Sequence, residues 1–262
     1  MAVDIPVAGG TLSVERAGSG TPALLMLHGW TLDRRMWGPQ VKGLSGRFTL
    51  LLPDRRGFGR SSAPPGLAVE PDDVPALLDH FGLERAVLVG HSQAGRVALT
   101  AAARHPHRVA GLVLLAAPHD GMPPDPAREP ALPLARLVDL VRAGDLPAAR
   151  TLWRSHPMLL VRDKATSRLL DEMLGDYEGR DLLVTPEPLP VDDALLSAIT
   201  CPSLIIAGDA DAWSRVAAAG RLAAGLGNAP CLLLPGAGHM ANISHAAAFN
   251  ETVAAWAAAL ET

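Results

Sequence analysis

Six short runs built almost wholly from apolar residues punctuate this 262-residue chain, at positions 23–27, 49–52, 86–89, 112–115, 203–207 and 231–234. Each is long enough for a strand and short for a helix. None alternates polar with apolar residues, so each suits a strand buried on both faces. Stretches with helical spacing lie between or after them, at 72–81, 93–104, 213–226 and 245–260. Strand and helix in alternation imply a mostly parallel sheet wrapped by helices. Two further runs, 5–7 and 11–16, meet across Gly9-Gly10 and read as an opening hairpin. The expectation is an α/β fold with an eight-stranded, mostly parallel sheet.

The alternation breaks once. From about 119 to 200 the sequence becomes helical and proline-punctuated, far longer than a crossover needs. It reads as a helical cap (a lid) inserted after the sixth strand, over a core made of residues 1–118 and 201–262. With 48% hydrophobic and 19% charged residues, the chain has the apolar material for one large core and not the composition of a disordered one. A net charge of −4 without any Lys/Arg-rich block argues against nucleic acid as a partner. No run of 18 apolar residues occurs, so no membrane span is expected; the first residues, MAVDIPVAGG, lack the features of a signal peptide. A cytoplasmic protein is the resulting expectation, with a homodimer left open. Cys201 and Cys231 are too few for a disulfide framework and read as buried reduced thiols, although a single bridge between neighbouring strands stays open.

The chemistry concentrates in AVLVGHSQAGRVAL, residues 86–99, where a strand runs into Ser92 and a helix follows without a linker. A serine at such a corner adopts strained backbone angles and exposes its hydroxyl beside a helix N-terminus, where negative charge is stabilised. A serine that merely caps the helix is the plainer alternative. Relative to the spacing G-x-S-x-G, Gly90 and Ser92 fit and Ala94 replaces the second glycine. Residues 25–30, LMLHGW, end a buried strand in a turn whose Trp30 N–H, with that of Gln93, would make a two-donor oxyanion hole. His239 lies in the glycine-rich loop PGAGHM after the last strand, within reach of the serine as a base. The acid is expected from GDADAW, with Asp211 the choice because the order Ser, Asp, His then holds. Asp209 suits ordering of the turn, and Asp120, after the sixth strand, is a second candidate acid. His28 is read as bracing its turn and His91 as filling the elbow.

These motifs, GHSQAG, LHGW, PDRRGFGRSS, GDAD and GAGHM, stand in an order that resembles the α/β-hydrolase superfamily across nearly the whole chain. The likeness is to its capped serine esterase and lactonase branch, including enol-lactonase-like and carboxylesterase-like members; TLWRSHPM, residues 151–158, is similar to enol-lactonase caps. The resemblance implies the α/β-hydrolase fold and makes residues 54–59 a structural loop. It also implies a serine hydrolase acting on a small carboxylic ester or lactone through an acyl-enzyme. C–C hydrolysis of a β-diketone-like ring-fission product, or a non-catalytic ligand receptor, are the alternatives on this fold. With neither a metal-ligand cluster nor a dinucleotide fingerprint, no cofactor and no metal are expected. Met122, Trp153, Met158, Tyr177, Trp213 and Met240, with Trp30, are candidates for an apolar pocket, and Arg34 or Arg154 for a carboxylate partner.

Overall fold

The computed structural model describes residues 2–185 and 187–261, so Pro186, in the outgoing edge of the expected cap, lies outside the described residues. The strands are β1 (Ala2–Val7), β2 (Gly10–Ala17), β3 (Ala23–Leu27), β4 (Thr49–Pro53), β5 (Ala86–His91), β6 (Val109–Leu115), β7 (Ser203–Gly208) and β8 (Cys231–Leu234). They join one sheet in the order β1-β2-β4-β3-β5-β6-β7-β8. β1 pairs antiparallel with β2 and β2 with β4; every later pairing is parallel. β3, β4, β5 and β7 are fully buried, as continuous apolar runs require.

β8 departs from the expectation. It is the sheet edge, and Cys231, Leu232 and Leu233 are exposed there. Covered by fewer neighbours, an edge strand cannot bury both faces, whatever its sequence suggests. Cys201 is half-buried, Cys231 is exposed, and both are free, so neither the buried-thiol reading of Cys231 nor the bridge holds.

Helices cover both faces: α1 (Gly38–Leu44), which the periodicity did not announce, α2 (Asp73–His80) and α3 (Gln93–Arg104). Successive strand residues point to opposite sides, so Leu24 and Met26 enter one cluster with α1, while Leu25 and Leu27 enter another with α2 and α3. After β6 come α4 (Leu134–Arg142), α5 (Leu146–Arg154), α6 (Lys164–Asp176) and the short α7 (Asp193–Ser197). Leu137, Ala149, Trp153 and Leu170 of the first three join the α1-side cluster, packing over that face. Leu189, Val191, Leu196 and Ile199 instead join the α2/α3 side, so the chain returns to the core before residue 200. Asp120 closes the neck: its N–H donates to Val191 O at 2.8 Å, and its carboxylate accepts from Val191 N–H at 2.8 Å and from Arg96. The chain ends through α8 (Trp213–Gly225), α9 (Ala241–Ser244) and α10 (Ala246–Ala258). No helix among the described residues is long and apolar enough to cross a membrane.

Candidate active site

β5 delivers Ser92 to the C-terminal edge of the sheet with φ 52° and ψ −119°, and α3 starts at the next residue. A non-glycine residue at positive φ costs about 1–3 kcal/mol and persists only where its surroundings hold it. Here Ser92 N–H donates to Leu115 O at 2.8 Å and Ser92 O accepts from Gly95 N–H at 2.9 Å. The closest approach of α3 to the chain leaving β6 falls at Gly95, where a Cβ would lie 2.4 Å from Ala117 Cβ. Glycine is therefore needed one position after Ala94, and the alanine is accommodated fully buried.

His239, on the loop after β8, brings Nε2 to 2.9 Å from Ser92 Oγ. Its Nδ1 lies 2.8 Å and 3.1 Å from the two oxygens of Asp211, which follows β7. A carboxylate only accepts, so Nδ1 carries the proton and Nε2 is left free to accept the serine hydroxyl. Asp211 is oriented in turn by Ala212 N–H at 2.7 Å. All three side chains are almost entirely buried. The other carboxylates are committed elsewhere: Asp209 accepts Gly236 N–H at 2.7 Å, and Asp120 serves the neck. Asp120 thus meets Arg96 and not the histidine.

Beneath the elbow, His91 Nε2 donates to His239 O at 3.0 Å, with the rings 4.9 Å apart. Burial, then the neighbouring His239, push His91 well below the usual histidine range, so it stays neutral under the site. A Cβ on Gly29 would lie 2.4 Å from His91 Nδ1, so only glycine lets the turn after β3 come this close. His28 is fully buried and its pKa is lowered to about 3, by burial and by Arg55. It accepts Arg55 N–H at Nε2 and donates from Nδ1 to Gly29 O, both at 2.9 Å. Arg55 ties the two expected oxyanion elements together: it donates to His28 O at 2.9 Å and to Gln93 Oε1 at 3.2 Å while paired with buried Glu70 at 2.7 Å. The sequence reading had made residues 54–59 a structural loop without seeing this clamp.

The α4–α6 segment and its following turn grip the same region. Trp153 Nε1 donates to Thr31 Oγ1 at 2.7 Å, and its ring lies 4.9 Å from that of Trp30. Trp30 Nε1 donates to Asp181 at 2.6 Å, and Tyr177 OH donates to the other oxygen at 2.7 Å. Burial raises the Asp181 carboxyl above its usual range even with both donors present. Tyr177, expected in the pocket, instead supports Asp181 and stacks near Phe58, because its hydroxyl needs a buried acceptor.

A cavity of about 220 Å³ opens on Ser92 and Gln93, with Trp30, Trp153, Met158 and Met240 among its walls. A neighbouring lobe of about 210 Å³ reaches Asp211 and Trp213, and shares Leu132, Met158, Arg215 and His239 with the first. Met122 stands outside both; its half-buried turn is set by an N–H bond to His119 O at 2.9 Å. Arg34 pairs with Asp54 at 2.7 Å and Arg154 with Asp171 at 2.6 Å, so neither faces the cavity as the expected carboxylate partner. Arg215, which sequence reading missed, does line it; only a three-dimensional packing distinguishes these arginines. Among the described residues no group of three or more His, Cys, Asp or Glu gathers as a metal site.

This sheet order, with a strained serine at the end of β5 and a histidine after β8, defines a hydrolase of the α/β class. The chain belongs to the α/β-hydrolase family: the model for the α/β hydrolase fold matches residues 22–161. It is 33% identical over 254 residues to a pimeloyl-[acyl-carrier protein] methyl ester esterase of Chromobacterium violaceum, covering 89% of this chain and 93% of that protein. It is 30% identical over 226 residues to RutD of Caulobacter sp. (strain K31), which is named a carbamate hydrolase, covering 83% of each. Among solved structures, the enol-lactonase from Burkholderia xenovorans LB400 superimposes with TM-score 0.78 at 26% identity, covering 96% of this chain and 98% of that one.

Proposed function

We propose that the protein is a serine hydrolase that cleaves a small carboxylic ester or lactone through an acyl-enzyme. The observation that carries this reading is the continuous chain Ser92 Oγ–His239 Nε2 at 2.9 Å and His239 Nδ1–Asp211 at 2.8 Å, opening on a cavity. His239 takes the Ser92 proton as Oγ attacks the carbonyl carbon, and Asp211 stabilises the imidazolium that forms. The oxyanion is received by the N–H groups of Gln93 and Trp30. As the first residue of α3, Gln93 has an N–H with no intrahelical acceptor, so it is free for that task. The tetrahedral species collapses, the imidazolium protonates the departing alkoxide, and water then releases the acid by the same steps. In a lactone the alkoxide stays attached to the acyl group.

The named activities of the relatives give further support. Methyl esters, carbamates and enol lactones share a carbonyl carbon bonded to a heteroatom leaving group, which suits this acyl transfer. The two adjoining lobes, about 220 and 210 Å³, together sit at the small end of the roughly 300–1,000 Å³ range of ligand pockets, which suits a small substrate. The test is hydrolysis of a p-nitrophenyl ester series by the wild type and by Ser92→Ala. Loss of the nucleophile should lower turnover by about 10⁶. A Ser92→Ala protein with a tenth of wild-type activity, freed of contaminating esterase, overturns the reading; a wild type inert both to esters and to a fluorophosphonate probe favours a ligand receptor.

A further inference from the structure

Arg215 is a cation in the cavity wall that makes no ion pair or side-chain hydrogen bond among the described residues. It is the third residue of α8, lines both lobes beside His239, and buries its Nε with no hydrogen-bond acceptor among the described residues. The two carboxylates whose charge it feels, Asp211 and Glu129, are already engaged. Asp211 serves His239 and Ala212 N–H, while Glu129 accepts Ser214 N–H at 2.9 Å and Ser214 OH at 2.7 Å. Two other arginines line the cavity: Arg96 is paired with Asp120 and also donates to Leu189 O at 2.9 Å, and Arg128 is paired with Asp125 at 3.2 Å.

Nothing in the fold accounts for a cation here. In the first turn of a helix a positive side chain opposes the helix dipole. Burial lowers the proton affinity of the guanidinium and outweighs the opposing pull of Asp211 and Glu129, yet an arginine remains protonated at neutral pH. A half-buried cation whose Nε is sealed from water without an acceptor gains when an anion arrives, and a planar guanidinium is best satisfied by a carboxylate with two parallel bonds.

We propose that the substrate carries a free carboxylate and that Arg215 receives it while the scissile carbonyl sits at Ser92. Resting on the serine-hydrolase reading, this narrows the substrate class to half-esters of small dicarboxylic acids and lactones bearing a carboxylate. Arg215 is then a specificity residue that binds the non-reacting end.

The test reads binding, so it does not depend on turnover. In the Ser92→Ala protein, the affinities of monomethyl glutarate and dimethyl glutarate are measured by calorimetry, with Arg215 intact, as Arg215→Gln and as Arg215→Lys. A charge-assisted bond corresponds to about 10- to 100-fold in affinity. The anion should therefore bind at least tenfold tighter than the diester when Arg215 is present. Arg215→Gln should erase that preference with little effect on the diester, and Arg215→Lys should restore part of it. Equal affinities with Arg215 intact, no binding of either ligand, or an anion preference that survives Arg215→Gln would each overturn the proposal. If Arg215→Gln fails to fold, Arg215→Lys carries the test: a reduced anion preference supports the proposal and an unchanged one overturns it. Failure of the hydrolase reading appears separately, as a wild type that binds the anion and never cleaves it.

Discussion

Replacing Asp211 by asparagine removes one proton acceptor and changes the chemistry of the histidine 28 residues away. Asp211 Oδ1 accepts both Ala212 N–H at 2.7 Å and His239 Nδ1 at 3.1 Å, whereas Oδ2 faces Nδ1 alone at 2.8 Å. The amide oxygen of asparagine will keep Ala212 N–H, which leaves the NH₂ group opposite Nδ1. Two donors cannot face each other, so Nδ1 gives up its proton and the neutral imidazole carries it on Nε2. That N–H then points at Ser92 Oγ, and the base can no longer accept the hydroxyl proton. The expected loss is about 10⁴ in kcat, or about 5.4 kcal/mol of transition-state stabilisation. KM should change little, since the Asp211 carboxylate is almost wholly buried against His239. Stability should fall only slightly, because Arg215 loses one of the two carboxylates whose charge it feels but keeps Glu129; a change of about 1 kcal/mol would move the melting temperature by only about 2–4 °C. The assay is steady-state hydrolysis of p-nitrophenyl acetate with melting temperatures alongside. Asp209→Asn, which loosens the bond to Gly236 N–H, should lose less than about tenfold. An Asp211→Asn enzyme above a hundredth of wild-type activity would refute the reasoning, as would an Asp120→Asn enzyme more crippled than Asp211→Asn.

Two further expectations follow from packing and burial. Met158 lines both lobes without a role in the chemistry, so Met158→Ala should shift relative kcat/KM between short and long acyl esters by roughly 10-fold or more, within the 10–200-fold reach of a hydrophobic contact; an unchanged chain-length profile contradicts this. His28 is held neutral with a pKa of about 3, whereas the unfolded chain protonates it near pH 6.5, so between those values the unfolded state binds the extra proton and stability drops as the pH is lowered. His28→Gln retains an acceptor for Arg55 N–H and removes this dependence, so denaturant unfolding should show the wild-type advantage over the variant shrinking by about 1.4 kcal/mol per unit from pH 6 to pH 4.5, and a constant difference would contradict it.

The sheet was legible because its central strands are buried on both faces and their sequences say so. β3 and β8 were bounded to the residue, and α3 began where Gln93 follows the elbow. Misreadings fell where neighbours decide. β8 has the composition of a central strand but lies at the edge, so Cys231 is exposed. The short α1 has too few turns for its period to stand out, and α7 packs against the core although it follows the inserted helices. At the candidate site, the structure brings Ser92, His239 and Asp211 within hydrogen-bond reach, a meeting legible because each follows a strand end in the expected order. The pocket was not. Tyr177 turns to Asp181, buried and bonded to Trp30 across the chain, and Arg34 to Asp54 twenty residues away; such tertiary contacts leave no local signal, and Arg215 passed unnoticed beside Trp213 for the same reason.

The central claim is that Ser92 becomes acylated. Mixing the enzyme with an excess of a p-nitrophenyl ester, quenching in acid within milliseconds and measuring intact mass should reveal one added acyl group, and peptide mapping should assign it to residue 92. Asp211→Asn should acylate far more slowly, and Ser92→Ala should show no adduct. Turnover with no adduct in the wild type at any quench time, or an adduct that maps elsewhere and persists in Ser92→Ala, would contradict the account.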